Sequence, residues 1–347
     1  MKDQKRLRDF GIVIGKMKTG KRNSITDVEG VKVGHLTLAY GEVQTGVTAL
    51  LPHGENLFKE KVLAVSHVIN GYGKTMGTIQ IDELGTIETP IILTNTLSIG
   101  VAADALIDLM LEQNDDIGNT TGTVNPVVCE CNDQYLNDIR GKYIKKEHVF
   151  EAIKNADVDF EEGAVGAGRG MSCLGFKGGI GTSSRMLELE DEKFTVGALV
   201  LSNFGAWGDL VVDGVKLGKS IEELKGDMDK CEDRGSIIMI LATDIPATER
   251  QLKRIAKRAV VGLTRTGSYI GNGSGDIVIA FTTANRINHY ESRSTIPIKM
   301  FNENKIDSAF RAAAEAVEEA ILNSMVCAET TTGRAGNRRV SLREYLT

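Results

Sequence analysis

Apolar positions follow two different spacings along this chain. Short runs rich in Val, Ile and Leu predict strands that are buried on both faces. These runs are Gly46–Leu51, Pro90–Thr94, Thr195–Ser202, Ser236–Ala242 and Asp276–Thr282. Longer segments repeat apolar residues at helical spacing and predict helices. They cover Gly100–Gln113, Lys146–Asn155, Thr248–Leu263 and Ser308–Asn323. This mixture indicates an α/β or α+β layered fold.

One junction between segments is distinctive. The stretch Ser220–Gly235 is polar and charged, and it leads directly into the apolar run that begins at Ser236. We expect this stretch to form a helix or loop at the surface. The first residue of the strand that follows, Ser236, would then carry a hydroxyl group.

Composition narrows the class of protein. The 347 residues carry a net charge of -6, with 41% hydrophobic and 25% charged residues, as in ordinary globular proteins. The mild acidity argues against a nucleic acid or an anionic membrane as the main partner. No apolar run could span a bilayer. The basic start is followed by only a short apolar stretch, Phe10–Ile14, without a cleavage-site pattern, so we expect a cytoplasmic protein.

Familiar metal and redox motifs are missing from the sequence. An odd, scattered set of cysteines favours reduced thiols; they are Cys129, Cys131, Cys173, Cys231 and Cys327. The first two have the wrong spacing for a zinc knuckle. The histidines lie in no metal motif, and we expect no metal and no organic cofactor.

Nucleotide-binding and common hydrolase motifs fail as well. Gly15–Arg22 nearly matches a phosphate loop, but Arg22 replaces the hydroxyl residue that binds Mg²⁺. Neither Gly163–Gly170 nor Gly175–Gly181 contains the dinucleotide-binding pattern in register. The sequence has no GxSxG elbow, so an α/β-hydrolase triad is unsupported.

A hydrolase without an obvious histidine base can use an N-terminal nucleophile, whose own α-amine accepts the proton. A free α-amine has a pKa of about 7.7–8.0, which suits a base at neutral pH. The Gly235–Ser236 bond fits this requirement because glycine leaves its carbonyl open to attack by the serine hydroxyl. Taken alone, the pair is also typical of a simple turn before a strand.

Several separated blocks resemble the DmpA-type aminopeptidases, which include L-aminopeptidase/D-esterases and β-peptidyl aminopeptidases. The blocks occur in the family's order and extend over nearly all of the chain. They are Ser24–His35, Glu88–Ser98, Val127–Asp138, Gly163–Arg185, Gly197–Gly205, Gly235–Asp244, Leu252–Gly267 and Gly273–Asp276.

The resemblance implies an inactive precursor that cuts itself before a serine, which corresponds to the bond between Gly235 and Ser236. The products, 1–235 and 236–347, would stay packed together in a single domain covering 1–347. The implied fold is a four-layer αββα sandwich like that of the N-terminal nucleophile hydrolases. Homo-oligomers of cleaved pairs are also implied.

Roles for individual residues follow from the resemblance. Ser236 would be the nucleophile, and Asn203 would donate its side-chain amide to the oxyanion. Ser274 and Asp276 would orient groups or relay protons near the Ser236 amine. Glu130 would hold the free ammonium group of the substrate, as expected of an aminopeptidase.

One position departs from the family, and the structural alternatives stay open. Members often carry an aromatic residue where this chain has Asn132, which leaves the substrate range in question. Asn203 could instead cap a turn, Ser274 and Asp276 could form an ordinary turn, and Glu130 could pair with a structural arginine.

The expected function is a self-processing aminopeptidase or amidase that acts on small peptides, amino-acid amides or esters. One alternative is an acyltransferase of the ornithine acetyltransferase type, although that group typically cuts before threonine. The other is a homologue that does not cleave itself and serves as a binding or structural protein.

Overall fold

The computed structural model describes residues 4–225 and 235–346. Its longer strands are β1 (Lys32–Tyr40), β2 (Val43–Leu51), β3 (Glu60–Gly71), β5 (Ile91–Asn95), β6 (Val127–Cys131), β9 (Gly179–Glu188), β10 (Lys193–Asn203), β11 (Ser236–Thr243) and β12 (Gly275–Asn288). Two-residue strands are β4 (Thr86–Ile87), β7 (Ser172–Cys173), β8 (Phe176–Lys177), β13 (Thr331–Thr332) and β14 (Arg338–Arg339).

The helices are α1 (Thr78–Leu84), α2 (Ile99–Gln113), α3 (Lys146–Lys154), α4 (Leu217–Lys225), α5 (Glu249–Ala256), α6 (Ala259–Arg265) and α7 (Ile306–Val326). In the part of the chain described, no helix combines the length and the apolar character needed to cross a membrane.

Most strands belong to two sheets. One sheet has the order β1-β2-β5-β6, and the other has the order β4-β3-β12-β11-β10-β9. In the six-stranded sheet, β11 runs antiparallel to β10 and parallel to β12. The strand that begins at Ser236 is therefore at the centre of the larger sheet.

Three apolar clusters arrange these elements in four layers. The first lies between the six-stranded sheet and helices α5, α6 and α7. The second fills the space between the two sheets. The third joins the four-stranded sheet to α2 and α3. The expected αββα sandwich is therefore confirmed.

Strand β11 is buried along its whole length, as its apolar run predicts. Side chains alternate between its two faces. Ile237, Met239 and Leu241 face the helices, whereas Ile238 and Ile240 face the other sheet. Ser236 shares the second face, so its hydroxyl belongs to the space between the sheets.

One predicted helix is divided into two. The segment Thr248–Leu263 forms two helices, α5 and α6, because the regular helical path is interrupted at Lys257 and Arg258. The second helix places Gly262 against α7, where a Cβ atom would lie only 2.5 Å from the Ala314 carbonyl oxygen. Gly262 thus lets α6 pack closely on α7.

The sequence predicts a surface helix or loop over Ser220–Gly235, and the structure describes only the first part of this stretch and Gly235. Helix α4 covers the start of this stretch. Residues 226–234 lie outside the described residues, and so does Cys231. The other four cysteines are buried, and none of them forms a disulfide.

Candidate active site

Ser236 opens β11 between two neighbours that both contact the site. It lies directly opposite Asn203 of β10 and beside Gly275 of β12. The Gly275 N–H donates a hydrogen bond of 3.2 Å to Ser236 Oγ. Ser236 is only 8% exposed, so its hydroxyl is held in a largely enclosed position.

The Asn203 amide is fixed at both ends. Its Oδ1 accepts a 2.9 Å hydrogen bond from the Ser172 N–H, and its Nδ2 donates a 3.1 Å bond to the Asn132 carbonyl oxygen. An amide nitrogen carries two hydrogens. The second hydrogen has no partner among the residues described, so it can serve a ligand.

Ser274 and Asp276 flank Gly275 and contact each other. Ser274 Oγ donates a 2.7 Å hydrogen bond to Asp276 Oδ1, and the Asp276 side chain is fully buried. Asn70 of β3 donates to the Ser274 carbonyl oxygen. The segment therefore holds a buried carboxyl group next to the strand position that faces Ser236.

Glu130 lies near the end of β6 with both carboxylate oxygens occupied. Oε1 accepts a 3.0 Å bond from the Lys74 N–H, and Oε2 accepts the Thr96 hydroxyl. Glu130 is 5% exposed. Among the described ion pairs, none joins Glu130 to an arginine, so the structural alternative for this residue is not supported.

A loop between β3 and α1 connects the surroundings of Ser236 with Glu130. A Cβ atom on Gly275 would lie 2.3 Å from the Tyr72 carbonyl oxygen, and one on Gly73 would lie 3.2 Å from Glu130 Oε1. The Gly71–Thr75 segment thus spans from the Ser236 side of the site to the Glu130 side.

Gly235 is tightly confined. A Cβ atom there would lie 1.8 Å from the Asn203 carbonyl oxygen and 2.7 Å from Phe204 Cα. Real Cβ atoms do not approach backbone oxygens so closely. The residue before Ser236 must therefore be glycine for the chain to follow this path.

Asn132 and Asp133 follow β6 directly. The Asn132 side chain accepts a 3.0 Å bond from the Gln134 N–H, while its backbone oxygen holds Asn203. Asp133 is fully buried and accepts a 3.0 Å bond from Asn137. Burial raises the pKa of Asp133 to about 7, against the opposing effect of its hydrogen bonds.

Two cysteines of β6 lie in the same region. Burial raises the pKa of Cys129 to about 12 and that of Cys131 well above its usual value, so both thiols stay protonated. Across the described residues, no group of three or more His, Cys, Asp or Glu side chains could hold a metal ion.

The structure thus brings Ser236, Asn203, Ser274 and Asp276 together around one strand end. Glu130 lies on the adjoining sheet, and Asn132 follows directly after its strand β6. Sequence reasoning missed Thr96, the Ser172 N–H and the Gly275 N–H. All three lie inside blocks that resemble the family. Two of them act through the backbone, so their residue types carry no signal.

Comparisons with known proteins define the class. The model of the Peptidase family S58 matches residues 23–339. Over 95% of this chain and 88% of the relative, the sequence is 40% identical to the beta-peptidyl aminopeptidase BapA of Sphingosinicella microcystinivorans. The chain belongs to peptidase family S58, and it is a hydrolase of the aminopeptidase class.

Solved structures agree over almost the whole chain. The PH0078 protein from Pyrococcus horikoshii OT3 is 59% identical with a TM-score of 0.94, covering 99% of this chain and 98% of that one. The L-aminopeptidase D-Ala-esterase/amidase from Ochrobactrum anthropi, a prototype of the serine aminopeptidases, is 37% identical with a TM-score of 0.89. The match covers 98% of each chain. The fold is therefore the variant of the Ntn hydrolase fold that the Ochrobactrum enzyme represents.

Proposed function

We propose that this chain is a self-processing serine aminopeptidase that removes N-terminal residues from small peptides, amino-acid amides or esters. The observation that carries the proposal is the pairing of Asn203 with Ser236 at the start of a central strand, with the Gly275 N–H on Ser236 Oγ. Membership of the family and the confined Gly235 support the same assignment.

The first step is self-cleavage. Ser236 Oγ attacks the Gly235 carbonyl carbon, and the peptide nitrogen leaves with a proton, which produces an ester and a free Ser236 amine. Water then hydrolyses the ester to a Gly235 carboxylate and a Ser236 hydroxyl. The products are residues 1–235 and 236–347.

The new amine is the proposed base for turnover. It accepts the Ser236 hydroxyl proton as Oγ attacks the substrate carbonyl, and the Asn203 amide stabilises the oxyanion. The protonated amine then gives its proton to the leaving group, and water hydrolyses the acyl-enzyme. Ser274 and Asp276, hydrogen bonded to each other at 2.7 Å, orient groups near this amine.

Glu130 accounts for the preference for a free N-terminus. A buried carboxylate that faces an ammonium forms a strong charge-assisted contact. The Lys74 N–H and the Thr96 hydroxyl hold this carboxylate in place. Asn132, where relatives often carry an aromatic ring, places a smaller, polar side chain beside the Asn203 amide.

The sheet explains why both fragments would remain together. Strands β11 and β12, from the second fragment, lie between β3 and β10, from the first. Separation would break two rows of backbone hydrogen bonds in a buried sheet, so we expect the fragments to part only on denaturation.

We also propose that cleaved pairs assemble into homo-oligomers. The segment after β12 exposes apolar side chains at alternate positions, with Ile296, Ile298 and Met300 being 42%, 46% and 65% exposed. The mass in solution, measured by light scattering, tests this proposal. A mass equal to one chain would contradict it.

A denaturing gel and a set of small substrates test the function. Two bands split at residue 235 support the enzyme, whereas a single full-length band from fresh and aged protein favours a non-cleaving homologue. Amino-acid p-nitroanilides, β-amino-acid amides and D-alanine esters then define the acyl preference. Turnover that requires an added amine acceptor would indicate an acyltransferase instead.

A further inference from the structure

Lys177 of β8 is completely buried, and the mechanism above does not use it. Its Nζ donates to the carbonyl oxygens of Gly168, Met171 and Gly178 at 2.8, 2.8 and 2.7 Å. An ammonium group has three N–H donors and no acceptor, so three carbonyls match it completely. A neutral amine would direct its lone pair at one of these oxygens.

Electrostatic effects on Lys177 act in both directions. Burial lowers its pKa well below the usual value, and Arg169 adds to this effect, whereas Asp133 opposes it. The three carbonyl dipoles favour the charged form. Burying an ammonium group is costly unless it is fully hydrogen bonded. The loop from Gly168 to Gly178 supplies those bonds by wrapping around one side chain.

This loop contacts the candidate site through the Ser172 N–H. Lys177 lies directly opposite Ser172 in the β7–β8 pair. The Ser172 N–H donates the 2.9 Å bond to Asn203 Oδ1. A second link, from the Leu174 N–H to the Phe204 carbonyl oxygen at 2.6 Å, fastens the same hairpin to the end of β10.

We propose that Lys177 is a positioning residue that fixes the Asn203 amide as the oxyanion donor. Its ammonium group binds three carbonyl oxygens of the loop and so holds the Ser172 N–H in position. That N–H determines which end of the Asn203 amide faces the reacting carbonyl. The inference rests on the proposed role of Asn203. Errors of about 1 Å in such placement can cost about 10²-fold in rate.

Lys177→Met tests the proposal because methionine fills similar space without donors. We expect a folded enzyme whose kcat falls about 10- to 100-fold with KM within about twofold of the wild type. In the Asn203→Ala background, the same substitution should cause no further loss, since both act through one donor. Turnover rates are divided by the cleaved fraction. A variant that cuts itself too slowly for turnover to be measured is compared by its self-cleavage rate in the same double-mutant cycle.

Lys61→Met is the matched control. Lys61 is also largely buried and pairs with Glu88, at the opposite end of β3 from the site. Its loss should lower thermal stability and leave kcat unchanged. Lys177→Gln, which retains two donors on a shorter side chain, serves as a second variant if the methionine variant does not fold.

Several outcomes would overturn the proposal. Folded Lys177 variants with wild-type kcat would do so, and so would losses that multiply with Asn203→Ala. Failure of both variants to fold would assign Lys177 to the stability of the fold alone. Unchanged kcat in Asn203→Ala itself would instead remove the oxyanion role of Asn203, which is a failure of the proposed function.

Discussion

Asn203 and Ser236 lie directly opposite each other in the antiparallel register of β10 and β11. Opposed residues project from the same face of a sheet. That face is the one between the sheets, since Leu201 and Ile238 belong to the core there. A slip of β11 by one residue against β10 would turn Ser236 to the other face, away from Asn203. Register therefore determines which hydroxyl and which amide meet.

Removal of the proposed oxyanion donor should slow the chemistry. Asn203→Ala is expected to lower kcat about 10²–10³-fold with a smaller change in KM, as for other oxyanion donors. Steady-state kinetics with an amino-acid p-nitroanilide measure the effect. Asn285→Ala is the matched control, because Asn285 is equally buried and, among the residues described, its side chain bonds to the Lys299 backbone alone. Equal kcat in the Asn203→Ala and Asn285→Ala variants would argue against Asn203 as the oxyanion donor.

Loss of the Glu130 charge should weaken recognition of the substrate amine. Glu130→Gln is expected to lower kcat/KM for a free-amine substrate by about 10- to 100-fold, the usual scale of a charged hydrogen bond. An N-acetylated analogue should be affected much less, and self-cleavage should be spared. The measurement is the ratio of kcat/KM for the free-amine substrate to kcat/KM for the acetylated analogue.

A control for Glu130 comes from another buried glutamate. Glu162 pairs with Arg6 and accepts the Thr182 N–H away from the site. Glu162→Gln should lower stability without changing the preference for a free amine. If Glu130→Gln slowed self-cleavage as much as turnover, Glu130 would have no specific role at the amine.

An added methyl group should disturb the cleavage site. Gly235→Ala would place a Cβ atom 1.8 Å from the Asn203 carbonyl oxygen, so the chain must shift there. We expect slower self-cleavage, followed as the loss of the full-length band over time. Gly54→Ala, where a Cβ atom meets nothing within 4 Å, should cleave at the wild-type rate. Normal cleavage of the Gly235 variant would refute this steric explanation.

Asp133 should make stability depend on pH. Its folded pKa of about 7 exceeds the ordinary value of 3.8, so its contribution to stability is fully present below pH 3.8 and is lost as the pH rises through 7. The free energy of unfolding falls by at most about 4 kcal/mol across this range. Asp133→Asn mimics the protonated acid, so it should gain stability relative to aspartate between about pH 4 and pH 8.

Urea unfolding in the uncut Ser236→Ala background measures this difference, since separation of two fragments would complicate the transition. If the free energy of unfolding depends on pH in the same way with Asp133 and with asparagine, folding does not raise the pKa of Asp133. That result would contradict the prediction.

The continuous apolar runs predict β2, β5, β10, β11 and β12, but the sequence misses β1, β3, β6 and β9. Strand β9 shows one physical reason. That strand is buried along most of its length, yet it carries Thr182, Ser183, Ser184 and Arg185. Their partners are remote: Arg185 pairs with Glu315 and Glu319 of α7. A buried polar strand becomes visible only when the segments that satisfy it are brought together.

The active site shows the same limit. Ser236 is predictable because a polar stretch meets an apolar run there, and the family blocks add its partners. Thr96 and Lys177 are not predictable as site residues. A threonine at a strand end and a single lysine are usually surface residues with no role in a site. Their proposed roles depend on contacts that form only in the fold: Thr96 with Glu130 Oε2, and Lys177 with three carbonyl oxygens.

The central claim is that the chain must break before Ser236 to create its base. Mass spectrometry and N-terminal sequencing during maturation, with activity measured on the same samples, test it most directly. We expect activity to rise in step with a second N-terminus that begins Ser-Ile-Ile-Met, and neither to appear in Ser236→Ala. Full activity from a chain in which Ser236 remains amide-linked to Gly235 would contradict the account.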